Sequence, residues 1–187
     1  MDTRDTTQRG ARDKDGVANS AAKVFISYSR QDRERALKIR DSLKTRAFDV
    51  FMDTEDILPA EEWKQRLGDL IVKADTVLFL LSPHSSQSEI CAWEVAQAAT
   101  LRKRIVPVVI ETVNPREIPP LLGKLNFIFC TDQDQFASAM DSIDTALKTD
   151  LQWVRKHTQV MGLAHRWDVV GRPSRLLLRG RDIADAE

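Results

Sequence analysis

Between Lys23 and Leu147 the chain repeatedly alternates a short run of Val, Ile, Leu and Phe with a longer amphipathic stretch, and that rhythm leaves little choice of fold. The apolar runs are Val24–Ser27, Val50–Asp53, Thr76–Leu81, Ile105–Ile110 and Asn126–Cys130. They are too short for buried helices, and most are rich in β-branched residues. They also lack the in-out alternation of a sheet with one wet face, so each reads as a strand covered on both sides. Strands of that kind, joined by helices through right-handed crossovers, predict an α/β domain: a doubly wound, three-layer, five-stranded parallel sheet with order 2-1-3-4-5.

Composition narrows the function. At 187 residues the chain is short for two full domains, so one globular unit with appendages is expected. Lys+Arg and Asp+Glu both number 28, leaving no basic field to draw in nucleic acid or an anionic membrane surface. No apolar run approaches the ~20 residues of a bilayer span. The first residues, MDTRDTTQRGARDKDG, mix acids and bases where a secretion signal needs an apolar stretch. Cys91 and Cys130 are too few for a disulfide framework and lie outside any metal-ligand spacing. A cytoplasmic protein with no bound metal is expected.

Three segments emerge. Residues 1–22 are polar and aperiodic, a disordered leader. Residues 23–149 carry the α/β rhythm. Residues 150–187 break it: Leu151, Val154 and Met161, with Trp153, Val160, Ala164 and Trp167, fall on neighbouring stripes of one helix. That apolar face is broad enough to dock on its own domain, a partner or both, so this segment is a C-terminal helical extension or a link to a downstream module. The acidic ending at Asp182–Glu187, without a closing element, reads as part of a longer protein.

In an open α/β sheet ligands bind beyond the carboxyl ends of the strands, where the order reverses. With order 2-1-3-4-5 that crevice lies between the first and third strands. The segments facing it are Ser27–Asp32 and Ser82–Glu94, flanked by Thr54–Glu62. Several occupants of such a crevice are excluded by residue type. The third strand ends in Ser82-Pro83, where a phosphoacceptor receiver needs a carboxylate. Ser29–Asp32 has no glycine to admit a flavin phosphate. No Gly-x-Gly-x-x-Gly or P-loop motif occurs. Ser86 and Glu89 have capping-box spacing, predicting a helix from about Gln87. Gln87, Ile90, Cys91 and Glu94 then share a stripe, and Glu94 falls among apolar neighbours. A carboxylate so placed is paired or functional, the alternative being that Glu94 points to solvent or pairs with a nearby Arg.

Three motifs together resemble a TIR (Toll/interleukin-1 receptor) domain of the bacterial kind. KVFISYSRQD from Lys23 to Asp32 resembles the family's first box. FDVFMDTEDILP from Phe48 to Pro59, running on to Trp63, resembles its second strand and BB loop. Ser82-Pro83, then Ser88-x-x-Cys91-x-x-Glu94, resembles its glutamate-bearing helix. The resemblance covers Lys23–Leu147 and implies a flavodoxin-like fold in the N-terminal part of a larger effector. It also implies one of two functions. The first is an NAD+ hydrolase that cleaves the nicotinamide–ribose bond, with NAD+ as substrate and no further cofactor, yielding ADP-ribose or a cyclic isomer. It would be switched on by TIR–TIR self-association through the BB loop, in bacterial antiphage defence or cell suicide. The second is a non-catalytic adaptor that recruits other TIR proteins.

Glu94 aligns with the catalytic glutamate of the cleaving branch, which favours the enzyme. Ser88 matches a serine of the same helix. Ser29 and Arg30, beyond the first strand, are placed to meet the substrate diphosphate, Arg30 by its fork, the alternative being an ordinary surface Arg. The resemblance further implies that Asp53, Ile57 and Leu58 belong to the lid. Ile90 stands where the family often has an aromatic ring against the substrate.

Overall fold

The computed structural model describes residues 21–52, 63–180 and 183. Five strands, β1 (Lys23–Ser27), β2 (Asp49–Met52), β3 (Thr76–Leu81), β4 (Arg104–Val109) and β5 (Ile128–Phe129), form one sheet. Every pairing is parallel, and the order is β2-β1-β3-β4-β5. Helices α1 (Arg33–Thr45), α2 (Trp63–Lys73), α3 (Pro83–Ser86), α4 (Glu89–Thr100), α5 (Phe136–Lys148) and α6 (Leu151–Val169) complete the chain order. The expected α/β architecture is the observed one. No described helix is long and apolar enough to cross a membrane.

The missing in-out alternation now has its physical cause. Along β1 and β3 successive side chains point to opposite faces. Val24, Ile26, Leu78 and Leu80 pack with Ile39 and Leu43 of α1 and Met140, Ile143 and Leu147 of α5. Phe25 and Val77 pack on the other face with Leu67 and Ile71 of α2, and Phe79 and Leu81 with Cys91 and Val95 of α4. All of β3 is buried. Neither face is wet, so neither selects polar residues.

The last strand is shorter than the expected Asn126–Cys130, and Pro107 explains why. Cys130 N–H donates to the Val109 carbonyl at 2.8 Å, whereas Ile110 N–H donates to Leu81 at 2.9 Å. With a period of two, the backbone groups of Val109, Pro107 and Ile105 therefore face β5. Pro107 has no N–H to give on that side, and the ladder stops at Val108–Val109. Smaller differences lie at other ends: β1, β2 and β4 each begin one residue earlier, at Lys23, Asp49 and Arg104, and β4 closes at Val109.

The expected helix start at Ser86–Glu89 is also corrected. The capping box is one step upstream: Ser82 Oγ accepts from Ser85 N–H at 3.0 Å, and Ser85 Oγ accepts from Ser82 N–H at 2.9 Å. Pro83, suited to the first helical position, makes Ser82 the favoured cap. Ser86 instead donates back to the Pro83 carbonyl, and Gln87 ends α3 rather than opening α4. Ser88 caps α4, accepting from Cys91 N–H at 3.3 Å.

The C-terminal helix docks on its own domain along one stripe. Val154 is buried and Leu151 packs against the core, after Asp150 turns the chain in a left-handed conformation at φ 49°. Lys103 anchors α6 against α2. Its buried ammonium donates to the Val72 and Ala74 carbonyls, both at 2.8 Å, and to Thr158 Oγ1 at 3.3 Å. Burial pushes that ammonium down to about 8, opposed by the nearby Asp75 carboxylate. The other stripes stay open: Trp153, stacked on His157, is 66% exposed, and Leu163 and Val169 are exposed as well.

Helices α2 and α4 pack side by side through Gly68, opposite the Trp93 ring. A methyl group added at Gly68 would lie 3.9 Å from that ring, an ordinary contact. Gly68→Ala is therefore expected to stabilise the domain by roughly 0.5–1 kcal/mol through helix propensity. Chemical denaturation checks it, and a lower midpoint would mean that the α2–α4 spacing does not tolerate the methyl.

Candidate active site

The crevice is built from two loop starts and one helix. At the end of β1 the chain leaves the sheet through Ser27 and reaches Asp32. At the end of β3 it leaves through Ser82. These exits are tied together, since Ser82 Oγ donates to Asp32 Oδ2 at 2.5 Å, with both residues buried. Ser82 thus serves two partners, accepting the α3 amide and donating to the carboxylate. Its cross-link holds the β1 and β3 exits in fixed relation at the point where the sheet order reverses.

Helix α4 follows the short α3 that Ser82 caps, and its second turn brings Glu94 inward. Glu94 is only 4% exposed. The Ser27 hydroxyl, wholly buried at the end of β1, donates to Glu94 Oε2 across a sequence separation of 67 residues. The carboxylate faces the sheet rather than bulk water. Cys91, one turn earlier, lies against the Ser88 and Ser27 hydroxyls. Burial, and then the Glu94 carboxylate, push its thiol up to about 12. With the side chain buried as well, Cys91 is expected to resist alkylation in the native protein at pH 8 and to react once unfolded. Mass spectrometry after iodoacetamide treatment checks this, and rapid native labelling would contradict the buried placement.

Five residues expected at the site come together. Ser29, Arg30, Ser88, Ile90 and Glu94, with Ile26 and Tyr28, line one hollow of about 40 Å³. Ser29 is buried, while Arg30 stands exposed at the mouth. The other three candidates, Asp53, Ile57 and Leu58, lie outside the described residues. Trp93, next to Glu94 in sequence, turns away and belongs to the α2–α4 packing. Sequence reasoning assigned no role to Ser27, Asp32 or Ser82. The available signal was a small hydroxyl at the end of each of two largely apolar strands, where burial requires the hydroxyl to find a partner.

The sequence model of the TIR domain matches residues 24–143, well over half of the chain. The chain belongs to the TIR family. A curated relative, the stimulator of interferon genes protein of Magallana gigas, is 30% identical over 136 residues, covering 70% of this chain. This chain spans about a third of that relative's length, 32%. Among solved structures, the TIR domain of the Toll-related receptor TRR-2 from Hydra magnipapillata superposes with a TM-score of 0.58. It covers 67% of this chain and 97% of the Hydra domain at 18% identity, a likeness of fold. A metazoan TIR-STING receptor from C. gigas superposes with a TM-score of 0.52 and 28% identity, over 67% of this chain and 40% of the receptor. In this TIR domain the Glu94 helix, the β1 exit and the β3 exit all fall within the matched span.

Proposed function

We propose that this TIR domain is an NAD+ nucleosidase that cleaves the nicotinamide–ribose bond, with Glu94 as its catalytic residue. The observation that supports it most is the placement of Glu94: a carboxylate withdrawn from water, held by a buried hydroxyl, lining a hollow at the reversal of the sheet. The chemistry suits a single carboxylate. Ordinary glycosidases need a second one because an alkoxide leaving group must be protonated. Nicotinamide leaves NAD+ as a neutral amine from a cationic precursor, so no acid is required. The barrier then lies in the positive charge that develops on the ribose. A fixed negative group that engages the ribose hydroxyls near C1′ stabilises that charge without reorganising during the reaction. Water captures the cation to give ADP-ribose, and an adenine nitrogen captures it to give a cyclic isomer. Ser29 and the exposed Arg30 serve the diphosphate, Arg30 by its forked guanidinium.

In this reading self-association through the BB loop switches the site on, and the chain is the N-terminal part of a longer bacterial effector in antiphage defence or cell suicide, with a sensor module downstream. Spanning only a third of its oyster relative supports a longer parent chain. The exposed apolar stripes of α6 are consistent with contacts beyond the domain.

The test is nicotinamide release from NAD+ by the purified chain, dilute, concentrated and artificially clustered. Release per molecule is expected to rise steeply with clustering. Absence of release at every concentration, with oligomers plainly present, would leave the domain a docking adaptor.

A further inference from the structure

We propose that Ser27 is a positioning residue for Glu94, so that the rigid end of β1, and not α4 alone, sets where the carboxylate points. This inference rests on the reading of Glu94 as the catalytic residue. A glutamate side chain has three rotatable bonds, and the helix that carries it fixes only its root. Ser27 supplies what the helix lacks. It is the last residue of β1, wholly buried, and its Cα is in register with Phe79 of the neighbouring β3. A central strand paired on both sides, to β2 and β3, is among the least mobile elements the fold has. From that base a single O–H is donated to Glu94 Oε2. A hydroxyl has one proton to donate, and here the carboxylate receives it.

Two further observations narrow the role. The Asp32–Ser82 pair braces the loop that begins at Ser27, so the hydroxyl's base is held from the β3 side as well. Cys91 lies against both Ser27 and Glu94 but holds the carboxylate less well than the serine, because its thiol is only a weak donor. A donated O–H favours the charged form of a carboxylate. Ser27 thus bears on the direction of Glu94 and, against the burial that opposes it, on its charged form. Ser27 itself need not touch substrate.

Steady-state kinetics of NAD+ cleavage by the clustered full chain test this, comparing wild type with Ser27→Ala, Ser27→Cys, Ser27→Thr and Glu94→Gln. Ser27→Ala is expected to lower kcat about 10- to 100-fold, the scale of a slightly misplaced catalytic group. KM should stay within about threefold, and the acidic limb of the pH–rate profile should move to higher pH. Ser27→Thr, which keeps the hydroxyl, should recover most of kcat and the original profile, an effect that a merely structural role would not produce. Should Ser27→Ala fold poorly, Ser27→Cys keeps the volume with a weak donor and carries the same signature. If Ser27→Ala or Ser27→Cys keeps the wild-type kcat and pH profile while Glu94→Gln is inactive, the positioning role is overturned and the catalytic reading stands. If the wild type releases no nicotinamide under any condition, both are overturned together.

Discussion

Glu94→Gln is expected to abolish most NAD+ cleavage, lowering the rate about 10²- to 10⁴-fold, the scale seen for a positioned catalytic group. Gln is the sharper substitution because it retains an oxygen to accept the Ser27 hydroxyl and nearly the same volume, while removing the charge. Its fold should therefore match wild type in melting temperature. The loss corresponds to about 3–5 kcal/mol of transition-state stabilisation, a plausible share for one fixed anion facing a developing cation in a water-poor site. Glu94→Ala should lose at least as much activity and also some stability, since the buried Ser27 donor would lose its acceptor. Nicotinamide release from the clustered chain, followed by chromatography, measures both. A Gln variant as active as wild type would remove the carboxylate from the chemistry.

The second large effect concerns stability. Ser82→Ala removes two interactions at once: the cap on the α3 amide of Ser85 and the hydrogen bond to the buried Asp32 carboxylate. A lost cap costs about 0.5–2 kcal/mol, and an uncompensated buried acceptor about 1–3 kcal/mol more. The expected sum is roughly 1.5–5 kcal/mol. For a chain of this size that corresponds to about 3–20 °C in Tm. Ser86→Ala is the informative companion, because Ser86 donates only to the carbonyl three residues back in the same short turn. It should shift stability by less than about 0.5 kcal/mol. Calorimetry on the two variants distinguishes the observed cap from the one expected at Ser86. Equal, small shifts would mean that the β1 and β3 exits hold together without Ser82.

The architecture was legible because its signal is long-range and redundant. Five apolar runs without a polar face admit few arrangements, and β3 was readable to the residue from TVLFLL alone. Legibility failed where a single local group decides the outcome. Pro107 is ordinary in an apolar run until its neighbour on the β5 side is known, and only then does its missing N–H shorten the last strand. Ser82 and Ser86 both satisfy a capping pattern, and Pro83 tips the balance toward the first. At the site, Glu94, Ile90 and Ser88 were readable from helix periodicity and the motif that carries them. Ser27 and Asp32 were not, because their partners lie 67 and 50 residues away and no periodicity links residues so far apart.

The blunted margin beside β4 bears on how copies of this domain can meet. Chains that grow fibres by continuing a neighbour's ladder need an uninterrupted row of amide donors along the outer rim. Here that row has a gap where proline stands, and the two-residue β5 covers only the remainder. Growth of a continuous cross-molecular sheet from this flank is disfavoured from the outset. An ordered array on this flank would then be held by side chains on its loops and helical shoulders rather than by a continued ladder.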